Sequence, residues 1–294
     1  MTSLGAPGVA LDRDLLERMR REGWQVREVG GTDPELLTPD GTPWRPARMP
    51  PDVYLTLEAP LLAACSRLAS AASAARRSHV LLLEGMDASG KSGLVRRLAA
   101  ACPAGAVTVV RLPPLTQTGH AYLATYRDAV RDRTGLVVLD RSWYRRPMVE
   151  GVMGYCSPEE ASWVLDHATL LEEELTAAGH VVAKLYLDVS RAEQAARLAV
   201  RHLLPRLGHT LTDHDLAAAT RWDALDRTRR AVQAATATPV RWTDVPADDK
   251  RRARLTALRL AVDLLADRAG AGDDPARDDD PVRRWAATRA ERRT

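Results

Sequence analysis

Residues 79–93 read HVLLLEGMDASGKSG, and how this stretch folds decides the architecture of the chain. An apolar run from His79 to Glu84 has the character of a buried strand. It leads into Gly85-Met-Asp87-Ala88-Ser89-Gly90-Lys91-Ser92, which satisfies the phosphate-loop pattern G-x-x-x-x-G-K-[ST] at every required position. Gly85 and Gly90 permit positive φ and leave room for a phosphate. The N–H groups of Ala88, Ser89, Gly90 and Gly93, at the start of a following helix, suit an anion. Lys91 adds a mobile point charge for terminal phosphates, and the Ser92 hydroxyl suits Mg²⁺. The alternative is a glycine-softened strand-to-helix turn. The helical pattern of Leu94, Val95 and Leu98 behind an apolar run favours the phosphate loop.

Outward from this stretch, strands and helices alternate. Apolar or β-branched runs at His79–Glu84, Ala106–Arg111, Leu136–Asp140, Val181–Asp188 and Thr238–Thr243 are separated by helical patterns. That alternation predicts an α/β fold, a five-stranded parallel sheet with helices on both faces. An alanine-rich amphipathic helix over Glu58–Arg77 feeds the first strand. Ser157-Pro158-Glu159-Glu160 has the form of a capping box, Gly179 follows that helix, and Ser190 to Glu193 opens another in the same way. Pro205–Thr212 reads as a hinge before a second helix at about Asp213–Ala235, so that 191–235 would form a lid.

At 294 residues, 45% of them hydrophobic, the chain supports one α/β domain with appendages. Residues 1–54, rich in Gly, Pro and charge, are expected to be a partly irregular, loosely packed extension. The catalytic domain spans 55–268, and 269–294 form a charged tail expected to be disordered. No run of about 18 apolar residues and no leader pattern is seen, so a soluble, unexported, cytoplasmic chain is expected. Cys65, Cys102 and Cys156 match neither a disulfide framework nor a metal spacing. The net charge of +3 is modest, and no nucleic-acid or membrane partner is expected. Residues 191–260 hold 14 Lys and Arg against 8 Asp and Glu, a local basic bias that suits a polyanion. Phe, Ile and Asn are absent and only Lys91, Lys184 and Lys250 are lysines, a pattern attributable to GC-rich coding.

A second constellation follows the third run. Leu136–Asp140 ends in the acid that a Mg²⁺-holding strand tip requires. The next residues, Arg141-Ser-Trp143-Tyr144-Arg145-Arg146, place three arginines and two aromatics where α/β proteins bind ligands. Arg141, Arg145 and Arg146 could offer forked donors to phosphate, with Trp143 and Tyr144 walling the pocket. The plainer reading is a charged loop with Trp143 in the core. His120, His167 and His180 sit singly and read as structural or solvent-facing.

Three motifs, GMDASGKSG, DRSWYRRPMVEGVMG and ADDKRRARL (Ala247–Leu255), in this order and at these intervals, resemble those of the family-2 polyphosphate kinases over roughly residues 55–265. The resemblance implies a three-layer P-loop kinase-like fold with a helical lid. It also implies Mg²⁺-dependent phosphoryl transfer between inorganic polyphosphate and nucleoside mono-, di- or triphosphates, by a homodimer or homotetramer. It makes Lys91 the phosphate-loop lysine, Asp87 and Asp140 the acidic pair that holds Mg²⁺ or orients the accepting phosphate, and Arg141 a phosphate clamp. It places Arg197 and Arg201 at lid positions that reach the phosphate chain; exposed solubilising charges are their alternative. Arg145, Pro147, Met148, Thr125 and Gly208-His209-Thr210 depart from the family pattern and bear on polyphosphate affinity and nucleotide preference. A kinase for a small metabolite or nucleoside, with Asp87 as base, and a non-catalytic nucleotide or polyphosphate sensor are the competing readings.

Overall fold

A computed structural model describes Leu4 and residues 11–28, 33–45 and 48–267. The expected charged tail lies outside the described residues. The elements, in chain order, begin with α1 (Arg13–Arg21), β1 (Gln25–Arg27), β2 (Glu35–Leu37) and α2 (Pro51–Ala74). There follow β3 (Ser78–Gly85), α3 (Lys91–Ala101), β4 (Val107–Val110), α4 (Gly119–Val130) and β5 (Gly135–Asp140). A π-helical turn at Arg146–Glu150 runs into the short α5 (Gly151–Met153). The chain continues through α6 (Pro158–Ala177), β6 (His180–Asp188), α7 (Arg191–Leu203), a 3₁₀ turn (Pro205–Thr210), α8 (Asp213–Thr220), α9 (Trp222–Ala235), β7 (Trp242–Pro246) and α10 (Lys250–Leu265).

Five strands form the main sheet, parallel as expected, in the order β4-β5-β3-β6-β7. The central strand β3 is apolar from Val80 to Leu83 because both of its faces are covered; these four residues have no exposed surface. Alternation then divides the core. Leu81, Leu83, Leu136, Val138, Leu185 and Leu187 pack with residues of α2, α3 and α10 on one face. Val80, Leu82, Val137, Leu139 and Tyr186 pack with residues of α4, α6 and α9 on the other.

Four local expectations shift, besides the helix expected over Glu58–Arg77, which runs from Pro51 to Ala74. The last strand starts at Trp242, not Thr238, since Pro239 cannot donate to a ladder and pairing with β6 begins at Lys184 and Trp242. The helix expected over 213–235 breaks at Arg221 into α8 and α9. Ser157 and Ser190 do cap their helices through their side chains. The carboxylates of Glu160 and Glu193 turn to Arg146 and to Arg197 instead of closing the boxes, and the reciprocal box forms at Thr212 and Asp215. The fourth shift concerns the N-terminal segment, which is more than a loose extension. Leu11, Leu15, Leu16, Met19, Trp24 and Leu36 build a core of their own against Ala195–Val200 of α7 and Leu216 of α8. Burial of these side chains fastens the segment to α7 and α8.

Candidate active site

The site starts where β3 ends. Gly85 has φ +146°, and a Cβ there would lie 2.8 Å from the Leu187 carbonyl oxygen and from Ser89 Oγ, so close approach of β6 and the loop requires glycine. Gly90 has φ +116° and Ala88 φ +61°, which curl the loop before α3 begins at Lys91. Lys91 is buried, and its ammonium folds back to donate to the Gly85 carbonyl and, at 3.0 Å, to the Met86 carbonyl. Burial lowers its pKa against the pull of Asp87. Ser92 is exposed at the helix start, and Gly93 lies under the Arg254 guanidinium.

Two acids stand at the carboxyl edge of the sheet. Asp140 is paired in register with Leu83, two residues before Gly85, and is 3% exposed. It accepts from Arg111 Nε at 2.9 Å and from the same guanidinium's Nη2. Asp87 lies within the loop, with Arg141 Nη2 at 3.5 Å from Oδ1 and His214 Nε2 at 3.1 Å from Oδ2. Burial opposes its ionisation, but His214, Lys91 and Arg141 outweigh it and hold the carboxyl well below the usual carboxylate range. Arg141 itself has φ +73°, a strained turn that directs the side chain back over the loop.

Over the phosphate loop runs a narrow cleft lined by Glu84, Asp87, Lys91, Arg141, Arg145 and, from α9, Leu225. Glu84 is buried and accepts from Ser142 N at 2.6 Å and Ser142 Oγ at 2.8 Å, which ties the phosphate loop to the segment after β5. Desolvation raises its pKa.

Of the expected basic groups, Arg141 and Arg145 line the cleft, and Arg145 Nε also pairs with Glu150 at 3.1 Å. Arg146 does not. It is 3% exposed, stacks on the Tyr122 ring at 3.7 Å, and donates to Glu150, Glu160 and the Gln117 and Leu115 carbonyls. All its donors serve the fold. Arg197 is likewise buried, pairing with Glu193 and donating to the carbonyls of Ala88 at 2.8 Å, Ser89 at 2.9 Å and Ala247. It braces the phosphate loop from behind. Arg201 pairs with Asp215 at 3.1 Å and the Thr210 carbonyl at 3.3 Å within the lid. Trp143 and Tyr144 have no exposed surface and belong to the core below the sheet, so the plainer reading of Trp143 is the correct one and Tyr144 does not wall the pocket.

Glu84, Arg111 and His214 were missed by sequence reasoning. Arg111 follows β4 and Glu84 sits on β3, so the rule that ligands gather at the carboxyl ends of strands could have found them. Nothing local marks His214, which reaches Asp87 from 127 positions away in sequence.

Asp87, Asp140 and the Ser92 hydroxyl supply hard oxygen donors of the kind Mg²⁺ takes, and Asp87 is held ionised. Among the described residues no group of three or more acidic, His or Cys side chains forms a complete metal cage. Mg²⁺ sites that use one or two carboxylates plus substrate phosphates need none, and oxygen donors of this kind suit that ion.

Residues 54–271 match the sequence model of a family described as polyphosphate kinase 2. A GDP-polyphosphate phosphotransferase from Mycolicibacterium smegmatis is 34% identical over 251 residues, which cover 82% of this chain and 89% of that protein. Polyphosphate kinase PPK2B from Corynebacterium glutamicum is 31% identical over 262 residues, covering 85% and 86% of the two chains. The crystal structure of polyphosphate kinase 2 from Arthrobacter aurescens TC1 superposes with a TM-score of 0.68 at 26% identity, covering 82% of this chain and 86% of that one.

Proposed function

The chain belongs to the polyphosphate kinase 2 family of polyphosphate:nucleotide phosphotransferases, and from that premise we propose how its own residues carry the transfer. The observation that carries the reading is the meeting of Asp87, Lys91, Arg141 and Arg145 around one cleft under the lid. A terminal phosphoryl group passes from polyphosphate to a nucleoside mono- or diphosphate, or back. The acceptor phosphate oxygen forms the new P–O bond as the bridging P–O bond breaks. That oxygen is already ionised near neutral pH, so no strong general base is required.

Catalysis is then alignment and neutralisation of charge. Lys91 exchanges its carbonyl contacts for phosphate oxygens, and Arg141 and Arg145 neutralise the migrating group. The lid, through Leu225, keeps water out. Asp87, Asp140 and Ser92 would hold Mg²⁺, which when bound adds positive charge beside the phosphates. Arg197 and Arg146 serve by fixing the loop and the π-helical turn.

A homodimer or homotetramer is proposed on the family resemblance. A cytoplasmic location suits three free cysteines. No helix among the described residues is long and apolar enough to cross a membrane.

The test is incubation with polyphosphate, Mg²⁺ and a panel of AMP, ADP and GDP. Formation of the next higher phosphate of at least one nucleotide is expected. Binding of polyphosphate and nucleotide with no product from any of the three would overturn catalysis in favour of a sensor.

A further inference from the structure

His214 is the second residue of α8, whose first turn is pinned by the reciprocal bonds of Thr212 and Asp215 and by Arg201 on α7. Its ring therefore has a defined position on the lid. Nε2 lies 3.1 Å from Asp87 Oδ2, a lid atom against the loop carboxylate that lines the cleft. At that separation imidazole and carboxylate are in close electrostatic contact. On the other side Nδ1 lies 2.8 Å from the Tyr155 hydroxyl, with the two rings 5.5 Å apart. Asp87 accepts only, so Nε2 carries hydrogen, and in the neutral ring Nδ1 accepts the Tyr155 proton. Tyr155 stands after α5, at the end of the segment that begins with Asp140. One imidazole thus joins three parts of the protein: the lid, the phosphate loop and the segment beyond β5.

We propose that His214 is a positioning residue for the transfer: with Tyr155 fixing the ring, it ties closure of the lid to the orientation of the Asp87 carboxylate. This rests on the phosphotransfer reading above. An ionised carboxylate flanked by Arg141 on one oxygen and a lid imidazole on the other has a single favoured orientation only while the lid is down. Arg201 and Thr212 keep α8 in shape, whereas His214 supplies its direct contact with the loop carboxylate.

The test compares H214L, H214Q, Y155F and H214L/Y155F with the wild-type full chain. H214L is expected to lower kcat about tenfold while KM for polyphosphate stays within about twofold, the signature of lost orientation rather than lost binding. H214Q, which keeps a donor near Asp87, should recover most of kcat. Y155F removes one oxygen from an exposed side chain and should give a smaller loss, with the double variant no worse than H214L because both act through one ring. Independently of activity, hydrogen exchange in the ligand-free protein should quicken over 213–220 in H214L and stay unchanged over 79–85. Wild-type kcat together with unaltered exchange in H214L overturns the proposal, as does an equal rise in KM or strict additivity of the two substitutions. If the wild type transfers no phosphoryl group at all, the functional reading fails by itself, and the exchange measurement still decides whether His214 holds the lid.

Discussion

Arg197 on α7 donates to the Ala88 carbonyl at 2.8 Å, so the back of the phosphate loop is held by a side chain 109 residues away. The same guanidinium takes the Ser89 carbonyl and the fully buried Glu193. Arg197→Met should therefore destabilise the protein by about 3 kcal/mol, as breaking a buried pair from one side does. Thermal unfolding checks it. A direct ligand of the phosphate chain would instead leave stability intact and flatten the salt dependence of polyphosphate binding.

Lys91→Ala should reduce kcat about a hundredfold or more, the cost of losing a main transition-state charge. Circular dichroism should show a folded protein. Near-normal turnover by the purified variant would count heavily against the role given to this lysine.

Gly85→Ala forces a Cβ against the Leu187 carbonyl and Ser89 Oγ at φ +146°. A stability loss on the order of 1–3 kcal/mol is expected, together with weaker phosphate binding. Denaturant midpoints and inorganic triphosphate titrations measure the two effects. Gly90→Ala meets only the backbone strain, since nothing lies within 4 Å of its added Cβ.

Asp140→Asn keeps the shape of the side chain but removes its negative charge, and with it the ion pair with the Arg111 guanidinium and the attraction for a cation. The Mg²⁺ concentration needed for half-maximal rate should rise roughly tenfold or more, with turnover depressed. A metal titration showing wild-type dependence would remove the metal role from this residue.

Lys250 at the start of α10 lies 3.7 Å from Asp33, and burial brings its pKa down to about 7 despite that neighbour. Its folded pKa lies below the unfolded value, so above pH 7 the unfolded chain binds the extra proton and stability rises with pH. From pH 7 to 9 the gain should be about 2 kcal/mol at most, since the side chain keeps 21% of its surface exposed. Lys91 and Lys184, also lowered by burial, act in the same direction. Above pH 9 the Cys65 thiol, raised to about 12, begins to oppose them. Comparing urea unfolding of wild type and Lys250→Met across this range isolates the Lys250 share, which should appear as a shallower slope in the variant.

The phosphate loop, four of the five strands and the helix starts after Ser157 and Ser190 were legible because each rests on contiguous residues. A glycine pair with positive φ, an apolar run buried on both faces, or a serine before a first turn is a local property. The order of the five strands was not read from the sequence; the structure set it. The N-terminal core was missed for a different reason. Leu15, Leu16 and Met19 form a short stripe that means little until α7 covers it.

Arginine was the residue type the sequence resolved least well. Arg145 and Arg146 are neighbours in one motif, yet one lines the cleft while the other is enclosed by Tyr122, Glu150 and Glu160. By itself the sequence determined that a phosphate-loop pattern would end a buried parallel strand with an acid-tipped strand in the same sheet, because backbone conformation and strand burial are encoded over a few adjacent residues. Only the tertiary structure decided which charges face the cleft, as with Arg141 beside Asp87, and which are consumed in holding it, as with Arg146 and Arg197. A long side chain's partner is set by whatever distant segment packs against it.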